Sequence, residues 1–213
     1  MADVTLYGLA LSTYTRTVRL ALEEKGVAYT LQPVELRSPA HLAVQPFGKI
    51  PALRHGNVHL FETPAMLGYI DAAFPGPTLT PAGTMDRVHA DQYASIFNDY
   101  LYASAIKSFV LPMVFPRGAD GKPDMAVVEA GRAQTAGHLA IVDAMLAGTA
   151  GTYMVGDAFT AADMYALPIL FWVERMPGGE ALLSGAPRVS ACYRVASARA
   201  SAAATVPPMP QAA

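Results

Sequence analysis

Apolar and polar residues alternate over short runs in the first third of the chain, and a helical spacing replaces this alternation further on. Short apolar strands are predicted over residues 4–8 and 28–36. Between them, apolar residues at helical spacing predict a helix over residues 17–25 that ends at Gly26, with a hydroxyl-rich loop at 9–15 before it. The pattern therefore predicts a β-α-β unit at the start of the chain.

Residues 45–66, QPFGKIPALRHGNVHLFETPAM, predict two further strands followed by a helix. The strands cover residues 52–54 and 58–61, because His55-Gly56-Asn57 supplies the residues of a tight turn between them. Proline is unusual at the start of an internal strand. A cis Ile50–Pro51 bond is predicted there, since bonds before proline tolerate the cis form far better than other peptide bonds.

The helix after the second strand is predicted to begin at Glu62-Thr63-Pro64, with Thr63 as its N-cap and Pro64 in its first position. A backbone edge before a fixed proline, close to a helix N-terminus that favours anions, suits a peptide-like ligand that carries a carboxylate. The stretch is thus predicted to form a β-β-α unit that carries a ligand-binding site.

Prolines and glycines separate this α/β region from a helical remainder. FPGPTLTPAG at residues 74–83 carries three prolines and two glycines, so it cannot continue a helix or a strand. The predicted domains are therefore residues 1–76 and 85–203, joined by a linker at 77–84. The Ala- and Pro-rich tail at 204–213 is expected to be disordered.

Helical spacing of apolar residues predicts helices in the second domain over residues 85–106, 125–146, 157–173 and 189–200. Thr160 and Asp163 fit a capping box for the third of these helices, with aspartate in place of the usual glutamate. We interpret both as folding residues, because a metal-binding role for Asp163 lacks a second ligand at suitable spacing.

Composition and charge narrow the class of protein. Hydrophobic residues make up 53% of the 213 and charged residues 15%, which favours a globular protein with a large core. The net charge of −2 predicts no attraction to nucleic acid or to an anionic membrane. Cys192 is the lone cysteine, which suits a reducing compartment. Since neither a signal peptide nor a membrane-spanning run is evident, a soluble cytoplasmic protein is expected.

These motifs resemble those of the soluble glutathione S-transferases. PFGKIPAL, the hairpin and LFETPAMLGYI are similar to their glutathione-binding half, and LYGLALSTYTRTVRLALEEKG to the serine-type members, especially the plant phi class and related bacterial enzymes. YMVGDAFTAADMYALPIL resembles a signature of their C-terminal domain. The resemblance covers roughly residues 4–203. It implies the GST fold, an α/β thioredoxin-like N-terminal domain followed by an all-α helical C-terminal domain.

The resemblance implies a transferase that activates the thiolate of glutathione for attack on a small apolar electrophile. Glutathione would be a co-substrate, with no metal or other cofactor, and the protein would be a homodimer with a role in detoxification. Two alternatives stay open. One is a specialised glutathione-dependent lyase, isomerase or dehalogenase on the same scaffold, and the other is a non-catalytic binding protein.

Ser12 is the candidate catalytic residue, because it matches the serine of the serine-type pattern S-x-x-T-R. A hydroxyl that donates to sulfur, together with a helix N-terminus, favours the thiolate, which is the nucleophile. Ser12 alternatively only caps the first helix. Tyr7 and Tyr14 are the rival hydroxyl groups, whereas Cys192 lies far along the chain from the position where cysteine-type relatives keep their thiol.

Family positions that hold glutathione fall on Arg37, His41, Lys49, Ile50, Pro51, Glu62 and Thr63. The resemblance implies that the backbone of Ile50 pairs with the cysteinyl part of glutathione. Glu62 would hold the γ-glutamyl amine, and Thr63 the γ-glutamyl carboxylate. Arg37 would contact the glycyl carboxylate, with His41 as its rival.

The second substrate is expected between the domains, against apolar and aromatic side chains that suit an apolar electrophile. The candidates are Leu11, Tyr14, Tyr100 and Phe109. At helical spacing such residues more often belong to a core, so the prediction concerns the region and not its individual residues.

Overall fold

The computed structural model describes residues 4–118 and 120–208. These form two compact units. The first unit comprises residues 4–79 and 199–208, and the second unit comprises 80–198. The predicted boundary at residue 203 therefore differs from the division in the structure, which falls between Ala198 and Arg199. Of the predicted disordered tail, residues 209–213 lie outside the described part of the chain.

The strands are β1 (Val4–Tyr7), β2 (Tyr29–Gln32), β3 (Ala52–His55) and β4 (Val58–Phe61). The α-helices are α1 (Thr13–Glu24), α2 (Pro39–Val44), α3 (Thr63–Ala73), α4 (Thr84–Ile96), α5 (Leu111–Val114), α6 (Met125–Met145), α7 (Ala161–Glu174), α8 (Gly179–Ser184), α9 (Pro187–Ser197) and α10 (Ala200–Ala204). A π-helix, Phe97–Val110, follows α4, and a 3₁₀ turn, Leu146–Gly148, follows α6.

The sheet of the first unit has the order β2-β1-β3-β4. Strands β1 and β2 are parallel, whereas β1–β3 and β3–β4 are antiparallel. Leu6 and Leu53 lie opposite each other in the central strands and are fully buried, as are Met66 and Ile70 of α3. This mixed sheet with its helices confirms the predicted thioredoxin-like fold.

Helix α1 begins four residues earlier than predicted. Ser12 has extended backbone, and its Oγ accepts a hydrogen bond from the N–H of Thr15 at 3.3 Å, so the hydroxyl-rich residues that follow it form the first helical turn. Helix α2 was not predicted, although it begins with a serine N-cap, Ser38, followed by Pro39.

The end of the described chain is held to α1 by arginine side chains. Arg16 is 3% exposed, and its Nη2 donates to the carbonyl of Ala202 at 3.2 Å. Arg19 donates to the carbonyls of Ala204 and Thr205 at 3.0 and 3.3 Å. The guanidinium of Arg199 pairs with Glu24 at 2.7 and 2.6 Å. Residues 199–208 therefore complete the first unit.

The second unit contains a long segment of unusual helical winding. The sequence predicted a helix over residues 85–106, but α4 ends at Ile96 and the chain continues as a π-helix to Val110. Each buried residue along it lies four or five positions from another one; these residues are Phe97, Leu101, Ser104, Ala105, Ile106, Phe109 and Val110. A π-helix bonds each residue to the fifth before it, so its turns are wider than those of an α-helix.

Polar caps tie the other helices of the second unit together. The predicted capping box is confirmed, since Asp163 accepts hydrogen bonds from the N–H and the hydroxyl of Thr160 at 3.0 and 3.2 Å. Asp163 also accepts from the N–H of Met154 at 3.0 Å. Asp143 of α6 accepts from the N–H groups of Arg188 and Val189 at the start of α9. Each carboxylate therefore satisfies otherwise unpaired helix donors.

Gly131 lets α6 lie directly on the π-helix. A Cβ atom at Gly131 would stand 2.5 Å from the carbonyl carbon and oxygen of Ser108, which is closer than real contacts allow. Within the part of the chain that the structure describes, no helix is both long and apolar enough to cross a membrane.

Candidate functional site

The register of the sheet brings the separate motifs to one end of it. Tyr7, the last residue of β1, lies opposite Ala52, the first residue of β3, and Ala52 lies opposite Phe61, the last residue of β4. Ser12 follows β1, Ile50 and Pro51 precede β3, and Glu62 follows β4. The three predicted contact regions therefore meet at the same end of the sheet.

Ser12 is half-buried in the short connection between β1 and α1. Its N–H donates to the carbonyl of Leu9 at 3.0 Å, and its Oγ accepts from the N–H of Thr15. Among the described residues, no acceptor receives the hydrogen of the Ser12 hydroxyl. The cap and a role toward sulfur are therefore compatible, because the cap uses a lone pair and leaves the O–H to donate.

The rival groups lie in different surroundings. Tyr7 and Tyr14 are both half-buried, Tyr7 at the end of β1 and Tyr14 in the first turn of α1. Cys192 is buried in α9 of the second unit. Burial, with smaller contributions from the nearby Asp163 and Asp143, raises the pKa of the Cys192 thiol to about 11. That thiol stays protonated near neutral pH, so it lacks the thiolate that reactive cysteines use.

The Ile50–Pro51 bond is cis, as predicted. Pro51 is buried and Ile50 is half-buried. Within the described residues, neither the N–H nor the C=O of Ile50 has a protein hydrogen-bonding partner. The side chain of Lys49 is exposed to solvent. A backbone donor and acceptor are thus presented directly ahead of β3.

Side chains from α2 and the loop after it hold Lys49 by its backbone. Gln45 is 1% exposed, and its Oε1 accepts from the N–H groups of Phe47 and Lys49 at 2.8 and 3.2 Å. His41 is 2% exposed; its Nε2 lies 2.8 Å from the carbonyl of Lys49, and its Nδ1 accepts from the N–H of Arg37 at 3.0 Å. Both ring nitrogens of His41 are therefore bonded to backbone atoms.

Glu62 and Thr63 form the start of α3, in roles that differ from those predicted. Glu62, not Thr63, is the N-cap; Thr63 is the first helical residue, and Pro64 follows it. Glu62 has a φ of 70°, which costs on the order of 1–3 kcal/mol for a residue with a Cβ. Its side chain is exposed and makes no capping hydrogen bond, whereas Thr63 is buried.

The predicted second-substrate residues differ in their exposure to solvent. Leu11 and Tyr14 are half-buried in the first unit. On the π-helix of the second unit, Tyr100 is 58% exposed, whereas Phe109 is only 1% exposed and belongs to the core. The contacts predicted for these residues stay predictions.

Sequence reasoning did not identify Gln45, and it assigned His41 a direct ligand contact. A signal was present, because Ser38-Pro39 marks a helix start that would have placed His41 one turn inside α2. Among the described residues, no group of three or more His, Cys, Asp or Glu side chains is arranged to hold a metal ion.

Comparison with known proteins gives two family matches. Residues 6–78 match the model of the glutathione S-transferase N-terminal domain, and residues 125–193 match that of the C-terminal domain. Among curated proteins, glutathione S-transferase 3 of Zea mays is 35% identical over 143 residues, covering 64% of this chain. The chain spans a similar share, 64%, of that relative's own length.

Solved structures match along nearly the whole chain. Glutathione S-transferase III in its apo form is 32% identical, with a TM-score of 0.82, and the match covers 98% of this chain and 100% of that one. A theta-class glutathione S-transferase from Xanthomonas axonopodis pv. citri, solved with glutathione bound, is 25% identical with a TM-score of 0.79. That match covers 97% of this chain and 98% of the other.

Proposed function

Because this chain belongs to the glutathione S-transferase family, we propose that it is a glutathione transferase that directs the thiolate of glutathione to an apolar electrophile. The observation that carries the proposal is the convergence of Ser12, Ile50 and Glu62 at one end of the sheet. Together they supply a hydroxyl donor, a backbone donor–acceptor pair and an acid for the amine of glutathione.

Ser12 acts on the sulfur. Its hydroxyl donates a hydrogen bond that stabilises the thiolate more than the thiol, and this lowers the pKa of bound glutathione. The positive end of the α1 dipole acts in the same direction, because the N-terminus of a helix favours negative charge. The thiolate then attacks the electrophile, since it is the nucleophilic form.

The rest of glutathione is held by groups that match its chemistry. The N–H and C=O of Ile50 pair with the cysteinyl part as a short antiparallel ladder. The carboxylate of Glu62 accepts from the γ-glutamyl amine, and Thr63 at the start of α3 donates to the γ-glutamyl carboxylate. Arg37 and Lys49 attract the glycyl carboxylate, because both side chains are cationic and exposed.

Steady-state conjugation of glutathione to 1-chloro-2,4-dinitrobenzene tests the proposal. Wild type and Ser12→Thr, which keeps the hydroxyl and the cap, are expected to be active. Ser12→Ala is expected to lose about 100-fold in kcat, the range seen when one donor to a developing anion is removed. Glutathione binding without turnover of this or other activated halides, epoxides or isomerisable substrates would favour a non-catalytic binding protein.

We also propose that the protein is a homodimer. Apolar side chains on the segment from Leu36 to Phe47 are exposed: Leu36 by 52%, Leu42 by 41% and Phe47 by 66%. The ring of Phe47 packs edge-on against Phe61, with 5.9 Å between their centroids. Exposed apolar clusters of this kind favour association. Light scattering on wild type and Phe47→Ser tests it; a dimeric wild type that becomes monomeric in the variant is the expected result.

A cytoplasmic location and a role in detoxification complete the proposal. The location is supported by the lone, buried thiol of Cys192, which suits a reducing compartment. The role follows from conjugation of apolar electrophiles, which converts them into charged peptide adducts. Fractionation of cells that express the protein, and survival under an added electrophile, measure the two properties separately.

A further inference from the structure

We propose that His41 and Gln45 are positioning residues for glutathione, which clamp the peptide groups of Lys49 so that the backbone of Ile50 faces the ligand. The inference rests on the proposed function and deepens it: it gives both side chains a role through the loop, whereas the resemblance implied a direct ligand contact for His41. The clamp instead acts through the loop that presents Lys49, Ile50 and Pro51.

Gln45 fixes the first half of the clamp. Its side-chain oxygen accepts from two backbone N–H groups, those of Phe47 and Lys49, and its own N–H donates to the carbonyl of His41 at 2.9 Å. The side chain is almost completely buried. A loss of this acceptor would leave two N–H donors unpaired, which destabilises the loop geometry.

His41 fixes the second half and sets a tautomer. An amide N–H only donates, so Nδ1 must be the acceptor from Arg37, and Nε2 carries the hydrogen donated to the carbonyl of Lys49. The ring thereby bridges Lys49 to Arg37, whose φ of 65° is uncommon for a residue with a Cβ. The neutral imidazole satisfies both backbone groups.

The bridge needs an acceptor toward Arg37 and a donor toward Lys49 on one side chain. A side chain that lacks two ring nitrogens on separate edges cannot bond both backbone groups at once. Its loss would leave both groups without this partner and favour a loop in which Ile50 is no longer presented.

The test measures binding of S-methylglutathione by isothermal titration calorimetry at a fixed pH. The S-methyl group keeps the thiol out of the measurement. A variant that loses the clamp is expected to bind several-fold more weakly, because the binding-competent loop is less populated. His59→Gln, which changes an exposed histidine on β4, is the matched control and should bind as tightly as wild type.

His41→Gln is expected to bind S-methylglutathione several-fold more weakly than wild type, because glutamine cannot bridge Arg37 and Lys49. Gln45→Met should raise the KM for glutathione with little change in kcat. Gln45→Glu keeps the acceptor oxygen, so its KM should lie closer to that of wild type than to that of Gln45→Met. Far-ultraviolet circular dichroism checks that each variant is folded.

Two results would overturn the inference alone: wild-type affinity retained in His41→Gln, or a KM for glutathione in Gln45→Met equal to that of wild type. A folded wild type that binds neither glutathione nor S-methylglutathione would overturn the proposed function as well.

Discussion

The two units hold their candidate site residues in different ways. In the first unit, the hydrogen-bonded register of the sheet places Tyr7, Ala52 and Phe61 side by side. The strand ends therefore fix where the backbone of Ser12, Ile50 and Glu62 lies, independently of side-chain packing. In the second unit, Tyr100 and Phe109 lie on the same π-helix, yet one is exposed and the other is buried. Backbone register therefore positions the candidate residues of the first unit, whereas side-chain packing alone positions those of the second unit.

Of the substitutions predicted here, Phe109→Ala is expected to have the largest effect on stability. Removal of a fully buried ring leaves a cavity and costs about 3–5 kcal/mol of folding free energy. Tyr100→Ala on the same helix should change stability by less than about 0.5 kcal/mol, because exposed side chains contribute little. Denaturant unfolding measures both. Equal effects of the two substitutions would contradict the assignment of Phe109 to the core.

Arg16→Met tests how the end of the chain supports the first unit. The substitution keeps the buried stem and removes hydrogen bonds from a charged donor to Ala202 and Thr205, each contributing roughly 1.5–3 kcal/mol. The expected result is a loss of about 3 kcal/mol, the lower end of the sum of the two bonds, with faster hydrogen exchange in α1 and α10. Exchange that rises only in the second unit would contradict it.

Two carboxyl groups, one buried and one half-buried, predict opposite responses of the units to acid. In the second unit, burial raises the pKa of Asp163 to about 6, against the hydrogen bonds that favour its charged form. The folded state then binds this proton more tightly than the unfolded state. Asp163 therefore adds stability as the pH falls from about 6 toward its ordinary value of 3.8.

The pKa shift of Glu24 in the first unit has the opposite sign. Burial raises its pKa, but hydrogen bonds from Arg199 and Ser201 and the charge of Arg199 outweigh burial, so the pKa lies below its ordinary value of 4.5. Its stabilisation is present above that ordinary value and is lost as the pH falls through the lowered folded pKa.

Unfolding of wild type and Asp163→Asn at pH 7 and pH 5 measures the first of these effects. The wild type is expected to gain on the order of 1 kcal/mol from Asp163 at the lower pH, a gain that the variant lacks. A variant that shows the wild-type difference between the two pH values would contradict the raised pKa.

Local chemistry explains which parts of the molecule could be predicted. The cis Pro51 and the Thr160–Asp163 capping box were predicted because each depends on residues adjacent in sequence. The start of α1 was placed too late, because Thr13 to Thr17 reads as a polar loop until the cap at Ser12 is recognised. The motifs of the first unit are formed by residues close in sequence, so their local structure could be predicted.

Features that depend on distant residues could not be predicted. The π-helix arises in a segment packed against α6, where Gly131 allows close approach to Ser108, and no local pattern shows that contact. The packing of α10 on α1 depends on Arg16 and Arg199, which are far apart in the chain. For the same reason, Tyr100 and Phe109 were both predicted to line the second-substrate region, although only Tyr100 is exposed.

The most direct test of the account is the pKa of the glutathione thiol bound to the first unit. Ultraviolet difference spectra of the thiolate against pH would be recorded for wild type, Ser12→Ala and Ser12→Thr, with Tyr7→Phe and Tyr14→Phe as controls for the rival hydroxyl groups. The account predicts a lowered thiol pKa in wild type and Ser12→Thr, retained in both tyrosine variants and lost in Ser12→Ala while glutathione still binds. A lowered pKa that survives in Ser12→Ala would contradict the assignment of the thiolate to the Ser12 hydroxyl.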